Sequence, residues 1–390
     1  VVTIKGLRRG VPDLIEFRIT RDKIPLYSVD AAYMINGETG YIKVDRFSST
    51  TLEEFNTALK KLKSQKMKNL IVDLQDNGGG YMSAAIGMVD NFLQKDQLIV
   101  YQEGKAQPRE NYVASGKDEI FDGNLVVLVD EGSASASEIV SGAIQDWDRG
   151  VIIGRRTFGK GLVQKMMDLP DGSQIRLTTA RYHTPTGRCI QRPYKDNIKN
   201  YRNDLIERYN HGELMHEDSI SFPDSLKHQT LKLKRTIYGG GGIMPDLFVP
   251  LDTMKYTQYH RNLVGKGVLN KFILQYMEKN RDELNKKYKA DKNLFGKFKE
   301  EFEVSENDLK ELIEAGEKEG VKLDSIQYGK SKNLIKKQIK ANIARDMWES
   351  GEYYQIMNTE NDIYMKALEV LSSKKNYEAA LLRKKDANKK

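Results

Sequence analysis

Over the first 250 residues the apolar positions come in short, nearly uninterrupted runs separated by amphipathic stretches. Leu70-Ile71-Val72-Asp73-Leu74, Leu125-Val126-Val127-Leu128-Val129 and Val151-Ile152-Ile153 are β-branched or leucine-rich and bounded by Gly and by Asp or Asn. That is the pattern of strands buried on both faces. Between them the apolar period becomes helical: Ile86, Val89, Phe92 and Leu93 share a face over 83–93, and Ile139, Val140, Ala143, Ile144 and Trp147 share one over 136–147. Strand, helix, strand, helix, strand predicts an α/β core with parallel neighbours and right-handed crossovers.

Ahead of this core, Thr3 to Leu7 and Ile15 to Ile19 alternate around the turn-prone Gly10 to Asp13, which predicts two strands. Two strands alone are marginal, so they are expected to belong to something larger. After the core, Ser173 to Tyr182 alternates again and leads into His183-Thr184-Pro185-Thr186-Gly187; the polar stretch at about 194–234 reads as an insertion. Gly239 to Gly242 then precede Ile243-Met244-Pro245-Asp246 and a return to apolar strand at Leu247-Phe248-Val249. From about Asp252 onward Lys, Glu and Asn dominate, and apolar residues at helical spacing predict a separate helical domain. Ser305 with Asp308 and Thr359 with Asp362 have capping-box spacing, Gly316, Gly320 and Gly351 sit where helices could stop, and the chain closes on the basic tail 383–390.

Composition narrows the classes. At roughly 100–200 residues per domain, 390 residues predict two or three domains. Hydrophobic residues make up 39% before Gly is counted, which argues against bulk disorder. The 63 Lys+Arg against 55 Asp+Glu give a net charge of +8, but no aromatic and basic residues interleave around the tail, so it reads as a solvated terminus and not a nucleic-acid contact. No apolar run approaches the roughly 20 residues of a membrane-spanning helix. Cys189 is the single cysteine, which excludes an internal disulfide and a Cys-rich metal site. The chain opens on Val1 with no Met and no apolar signal segment, which reads as a cut front.

Three loops follow core strands and carry residues suited to chemistry. Asp130 to Ile139, with Ser133, Ser135 and Ser137, joins a buried strand to a helix whose first-turn N–H groups could stabilise an oxyanion. A serine there is a nucleophile or, more blandly, a helix cap. Lys160 lies between Gly159 and Gly161 after the next strand, and in an extended segment residues 160, 162 and 164 share a face, so that Gln164 can hold the Lys160 amine. An amine kept neutral by burial is a workable base for a serine, while a lysine between glycines is otherwise a solvated loop residue or a phosphate contact. Asp73 to Gly80 ends the first core strand in three glycines that could supply further oxyanion donors. Asp146, 11 residues after Ser135 on the same helix, lies about 16 Å along the axis, so a structural role is expected. His183 offers a rival Ser-His-Asp arrangement, and His211 with His216 lack a third ligand for a metal.

Taken together, Asp73 to Gly80, Gly132 to Ile139, Thr157 to Gln164 and Gly241 to Asp246 resemble the carboxy-terminal processing peptidases, or tail-specific proteases, over about residues 1–250. The resemblance implies a ClpP/crotonase-like α/β peptidase core over 25–251, with residues 1–24 as the last strands of a PDZ domain most of which is absent; the charged helical domain read from composition and spacing over 252–390 lies beyond it. It implies Ser135 as nucleophile, Lys160 as base 25 positions on, Gln164 as the residue that orients the lysine, and oxyanion donors at the Ala136 amide and in Gly79 or Gly80. Where the family often has Arg and Pro in the first motif, this chain has Gln75 and Gly78. Substrates would be proteins with exposed, flexible, apolar C-terminal tails, cleaved without cofactor or metal. No nucleic-acid partner is implied. The resemblance points to the periplasm or cell envelope, and leaves room for membrane association through a preceding segment and for a homo-oligomer. The alternative on the same fold is a non-catalytic peptide-binding or adaptor module.

Overall fold

The computed structural model describes residues 1–8, 11–22, 26–117, 120–193, 198–288 and 294–382, and for 198–202 the backbone alone. The basic tail at 383–390 and Gly10 of the expected turn lie outside the described residues. Strands β1 (Val2–Gly6) and β2 (Ile15–Ile19) form the expected antiparallel pair, with most of its side chains in solvent.

The core begins with β3 (Val29–Met34), β4 (Thr39–Val44), α1 (Thr51–Ser64), β5 (Asn69–Asp73) and α2 (Met82–Val89). A hairpin of β6 (Leu98–Gly104) and β7 (Gln107–Val113) follows, then β8 (Asn124–Val129), α3 (Ala136–Asp146) and β9 (Val151–Gly154). Next come the hairpin β10 (Leu162–Asp168) and β11 (Gln174–His183), helix α4 (Ile198–Asn210), the short strands β12 (Lys227–Gln229) and β13 (Thr236–Tyr238), and β14 (Leu247–Phe248). One sheet has the order β14-β9-β8-β5-β4-β3, parallel except for the β3–β4 pair; a second has the order β10-β11-β6-β7. The apolar runs are the central strands, and every residue of β5 and β9 is buried. Being parallel and adjacent, β5, β8 and β9 end at the same sheet edge, where open α/β sheets place ligands.

Both sheet faces are covered. Phe55, Ala58, Leu59 and Leu62 of α1, Ala84, Ala85, Met88 and Val89 of α2, and Ile139, Val140, Ala143 and Ile144 of α3 pack on Leu70, Val72, Leu125 and Val127. The opposite face, Tyr41, Ile71, Val126, Leu128, Val151 and Ile153, is covered by Ile363, Tyr364, Ala367 and Val370 of α11 (Asp362–Leu371) and by Tyr377 and Ala380 of α12 (Lys374–Leu382). The chain after 252 is therefore not a single separate unit. Helices α5 (Gln258–Gly265), α6 (Val268–Tyr288), α7 (Leu294–Glu301), α8 (Glu306–Lys318), α9 (Ser325–Met347) and α10 (Ser350–Met357) share a core of their own. The last two helices instead complete the α/β core, and the Tyr377 hydroxyl meets the backbone of Leu125.

Two helix signals behave differently from each other. Ser305 and Asp308 form the expected reciprocal cap of α8. Thr359 instead lies in a short 3₁₀ turn at 358–360, and Asn361 caps α11 by accepting from the amides of Ile363 and Tyr364. An Asx side chain reaches those first-turn donors directly, which leaves the threonine two positions ahead of the cap. Gly320, in the left-handed region at φ 73°, follows the end of α8, whereas Gly316 lies inside that helix and Gly351 in the first turn of α10.

Candidate active site

The turn from β8 into α3 makes the three serines unequal. Ser133 donates its hydroxyl to the Leu74 carbonyl at 2.7 Å, and Ser137 donates to the Asn77 carbonyl at 2.9 Å. Both are fully buried, so both hydroxyls are consumed in tying the serine turn to the glycine loop after β5. Ser135, between them, is half-buried and has φ 57° and ψ −112°, a left-handed conformation that non-glycine residues adopt only when their surroundings enforce it. Its Oγ lies 3.1 Å from the phenol oxygen of Tyr182. The Ala136 amide opens the first turn of α3 and has no hydrogen-bond partner among the described residues. It is thus available at the positive end of the helix, beside the Ser135 oxygen.

The enforcing group is Glu138, fully buried in α3. Its Oε2 accepts the amides of both Ser135 and Lys160 at 2.8 Å, and its Oε1 accepts the Thr157 hydroxyl at 2.6 Å and the Gly159 amide at 2.7 Å. One carboxylate therefore fixes the backbone of the serine turn and of the lysine loop together. Burial pushes its carboxyl above the usual range, and the four donors act against that rise. Its position three residues after Ser135 is a capping-box spacing, a signal that would have singled it out.

The glycine loop is set by Asn77 and Asp130. Asn77 donates its side-chain amide to the Val44 carbonyl at 2.8 Å, while its own carbonyl accepts from Ala134 and Ser137. Gly79, at φ 95°, lies so close to the serine turn that an added Cβ would sit 2.6 Å from Ser135 Cβ, so only glycine fits. Its amide donates to Asn77 Oδ1 at 2.9 Å. The Gly80 amide has no partner among the described residues, which makes it the freer of the two candidate donors.

Asp130 Oδ1 accepts the amides of Asp76, Gly132 and Ser133. Burial, then the charges of Asp76 and Glu131, push its pKa up to about 6. Its proton is held more tightly in the fold than in the unfolded chain, so its favourable contribution is complete below about pH 4 and lost as pH rises through about 6. Asp130→Asn keeps an acceptor for those amides and carries no charge. Against the parent, it is expected to gain on the order of 2 kcal/mol between pH 4.5 and 7.5. Urea unfolding at the two pH values measures this, and an equal stability difference at both would refute it.

Lys160 lies half-buried in the loop between β9 and β10. Besides Glu138, the loop is held by Phe158 N to Ser133 O, Thr157 N to Ile243 O, Arg192 N to Gly159 O, and Gly161 N to Gln191 Oε1. The expected insertion joins in: Arg208 of α4, buried, donates to the carbonyls of Arg156 and Thr157. Among the described residues the Lys160 amine makes no hydrogen bond to Ser135 or to Gln164. The register of β10 against β11 shifts between Val163 and Gln164, and Gln164 is exposed. The residue left unpaired there is Thr179 of β11, so β10 itself keeps its alternation; what separates the pair is that Lys160 lies in the loop before β10 begins at Leu162, where the two-residue period by which 160, 162 and 164 were expected to share a face does not yet hold.

The remaining candidates fall outside this cluster. Tyr182, the neighbour of His183, points to Ser135, so alternation sends His183 to the other face of β11, where its ring stacks on Tyr101 with centroids 4.7 Å apart and its Nδ1 meets the Gly187 carbonyl. Asp146 is fully buried, pairs with Arg188 at 2.7 Å and accepts from Thr186, which braces the loop after β11. Asp246 likewise binds Gln145, Arg235 and the Ile152 amide. No group of three or more His, Cys, Asp or Glu placed to hold a metal occurs among the described residues, His211 and His216 included.

Comparison with known proteins shows what the chain around these loops is similar to. Residues 38–199 match the model of Peptidase family S41. Over that stretch the chain is similar to S41 peptidases. Residues 259–349, within the second core, match a family of unknown function (DUF8443). The chain is 37% identical over 194 residues to a carboxy-terminal-processing protease of Bartonella bacilliformis, covering 49% of this chain and 44% of that one. It is 40% identical over 170 residues to a carboxyl-terminal-processing protease of Picosynechococcus, covering 43% and 41%. Among solved structures, a photosystem II D1 C-terminal processing protease is 31% identical, with 49% of this chain and 53% of that chain covered and a TM-score of 0.40. The chain thus spans less than half the length of these curated relatives. The S41 match spans β4 to the start of α4 and so includes the glycine loop, the serine turn and the lysine loop.

Proposed function

We propose that the chain is the core of a serine endopeptidase that cleaves proteins near or from exposed, apolar C-terminal tails by a Ser135–Lys160 dyad. In this reading Lys160, neutral, takes the Ser135 hydroxyl proton as Oγ attacks the peptide carbonyl. The oxyanion is met by the amides of Ala136 and Gly80, the protonated lysine returns its proton to the leaving amine, and water releases the acyl-enzyme. Gln164 would orient the lysine after the loop closes on substrate. The hairpin β1–β2 would be the end of a PDZ-type module that grips the tail, and the whole protein would act in the periplasm or cell envelope.

The observation that carries this reading is the single Glu138 carboxylate bonded to the amides of both Ser135 and Lys160. A retired scaffold has no need to hold those two backbones in one register. Apo geometry in which nucleophile and base are not yet bonded is ordinary for catalytic pairs that tighten in the substrate complex. A serine-reactive fluorophosphonate tests it: peptide mapping should find the adduct on Ser135, and adduct on Ser133 or Ser137 instead would overturn the assignment.

A further inference from the structure

We infer that Tyr182 is a positioning residue that parks the nucleophile, holding the Ser135 hydroxyl in a resting orientation that it must leave before Lys160 can act on it. The inference rests on the Ser135–Lys160 reading. Tyr182 Oη lies 2.6 Å from the Lys160 carbonyl oxygen and 3.1 Å from Ser135 Oγ. A phenol has one hydrogen, and a carbonyl can only accept. The shorter contact therefore takes the phenol proton, and the longer is made by the Ser135 hydroxyl donating into the phenol oxygen. The Ser135 proton then points at Tyr182, and among the described residues Ser135 makes no hydrogen bond to the Lys160 amine.

The tyrosine itself is not the mobile partner. It is 4% exposed, packs in the main core cluster, and sits in β11 opposite Gln102 of β6, with its amide donating to the Gly161 carbonyl at 3.0 Å. Nor can the Ser135 backbone yield, since its amide is bound to Glu138 and its neighbours Ser133 and Ser137 are tied to the glycine loop. What remains free is rotation about the Ser135 side-chain bond, an exchange of one hydrogen-bond partner for another without any change in fold.

Substrate entering the cleft can displace the parked hydroxyl by offering a carbonyl to attack.

The test is the rate of fluorophosphonate labelling in the full chain, with Ser135→Ala as the blank. Tyr182→Phe removes only the phenol oxygen. It is expected to label Ser135 roughly two- to tenfold faster, the range one neutral hydrogen bond accounts for, with KM for a tail peptide and the pH dependence of labelling unchanged. Labelling of Tyr182→Phe at or below the parent rate, or a shifted pH dependence, overturns the inference while leaving the dyad standing. Labelling of Ser135→Ala at the parent rate overturns the dyad and the inference together. A crystal structure of the parent phosphonyl adduct gives an independent reading if the variant loses stability. Ser135 Oγ beyond hydrogen-bond reach of Tyr182 supports parking, and retention of the contact in the adduct refutes it.

Discussion

Ser135→Ala is expected to lower kcat/KM for a tail peptide by at least about a thousandfold, with the melting temperature almost unmoved. The large kinetic effect follows from removing the atom that forms the acyl bond; the Ala136 and Gly80 amides would remain to bind an oxyanion, and such residual machinery still leaves some rate over water. The small thermal effect follows from what the hydroxyl does at rest: it meets the Tyr182 phenol, a hydrogen bond worth about 1 kcal/mol. Alanine at φ 57° meets the same left-handed strain as serine. Ser135→Gly, equally inactive, should therefore melt above Ser135→Ala, because glycine relieves a strain of about 1 kcal/mol. Lys160→Ala should cost a similar factor in rate, and the double variant no more than the worse single one, because the two groups act as a unit. A Ser135→Ala protein retaining more than a tenth of the parent activity would sink the dyad.

The thermal contrast matters because the strain at Ser135 is not readable from the sequence. What was readable is the order of central strands: β5, β8 and β9 are continuous apolar runs, and a strand buried on both faces leaves no other pattern. The serine turn and the lysine loop could be placed at one sheet edge for the same reason, since parallel neighbours end together. Helix α1 is legible as well: Phe55, Ala58, Leu59 and Leu62 have helical spacing, with Glu53 and Glu54 in the first turn and Lys61 and Lys63 in the last. The edge strand β3 and its neighbour β4 mix Asp30, Thr39, Gly40 and Lys43 with apolar residues, so their burial could not be recognised without the partner that covers them. That partner is the end of the chain: Tyr41 packs against Tyr354 and Tyr364, some 310 positions on. Periodicity marks α11 as amphipathic but does not say which surface its apolar face meets, so its assignment to a separate domain was the natural error. Gln164 illustrates the other limit. A two-residue period is a rule of regular strands, and Lys160 lies in the loop before β10 begins at Leu162, so the period does not relate it to Gln164.

The second large effect is expected at Glu138, a residue that takes part in neither bond making nor bond breaking. Glu138→Ala leaves four donors, the amides of Ser135, Gly159 and Lys160 and the Thr157 hydroxyl, without the acceptor that the fully buried carboxylate supplies. At roughly 1–3 kcal/mol for each buried group left unpaired, partly offset because a buried charge is also removed, a loss on the order of 4 kcal/mol is expected. A lower urea midpoint with an unchanged slope would register it. Glu138→Gln separates support from fold. The glutamine carbonyl can replace Oε1 and keep Thr157 and Gly159, but its NH2 then faces the amides of Ser135 and Lys160, donor against donor, at the position Oε2 now holds. Stability should fall by only about 1–2 kcal/mol, while kcat falls roughly a hundredfold, because displacement of catalytic groups by about 1 Å carries a cost of that size. KM should hardly change, since no contact with substrate is altered. Equal losses in kcat and stability for Gln and Ala would mean that Glu138 merely fills the core. A kcat loss in Glu138→Gln at near-parent stability would mean that this carboxylate, through two backbone amides and without touching the reacting atoms, sets the register on which the serine and the lysine meet.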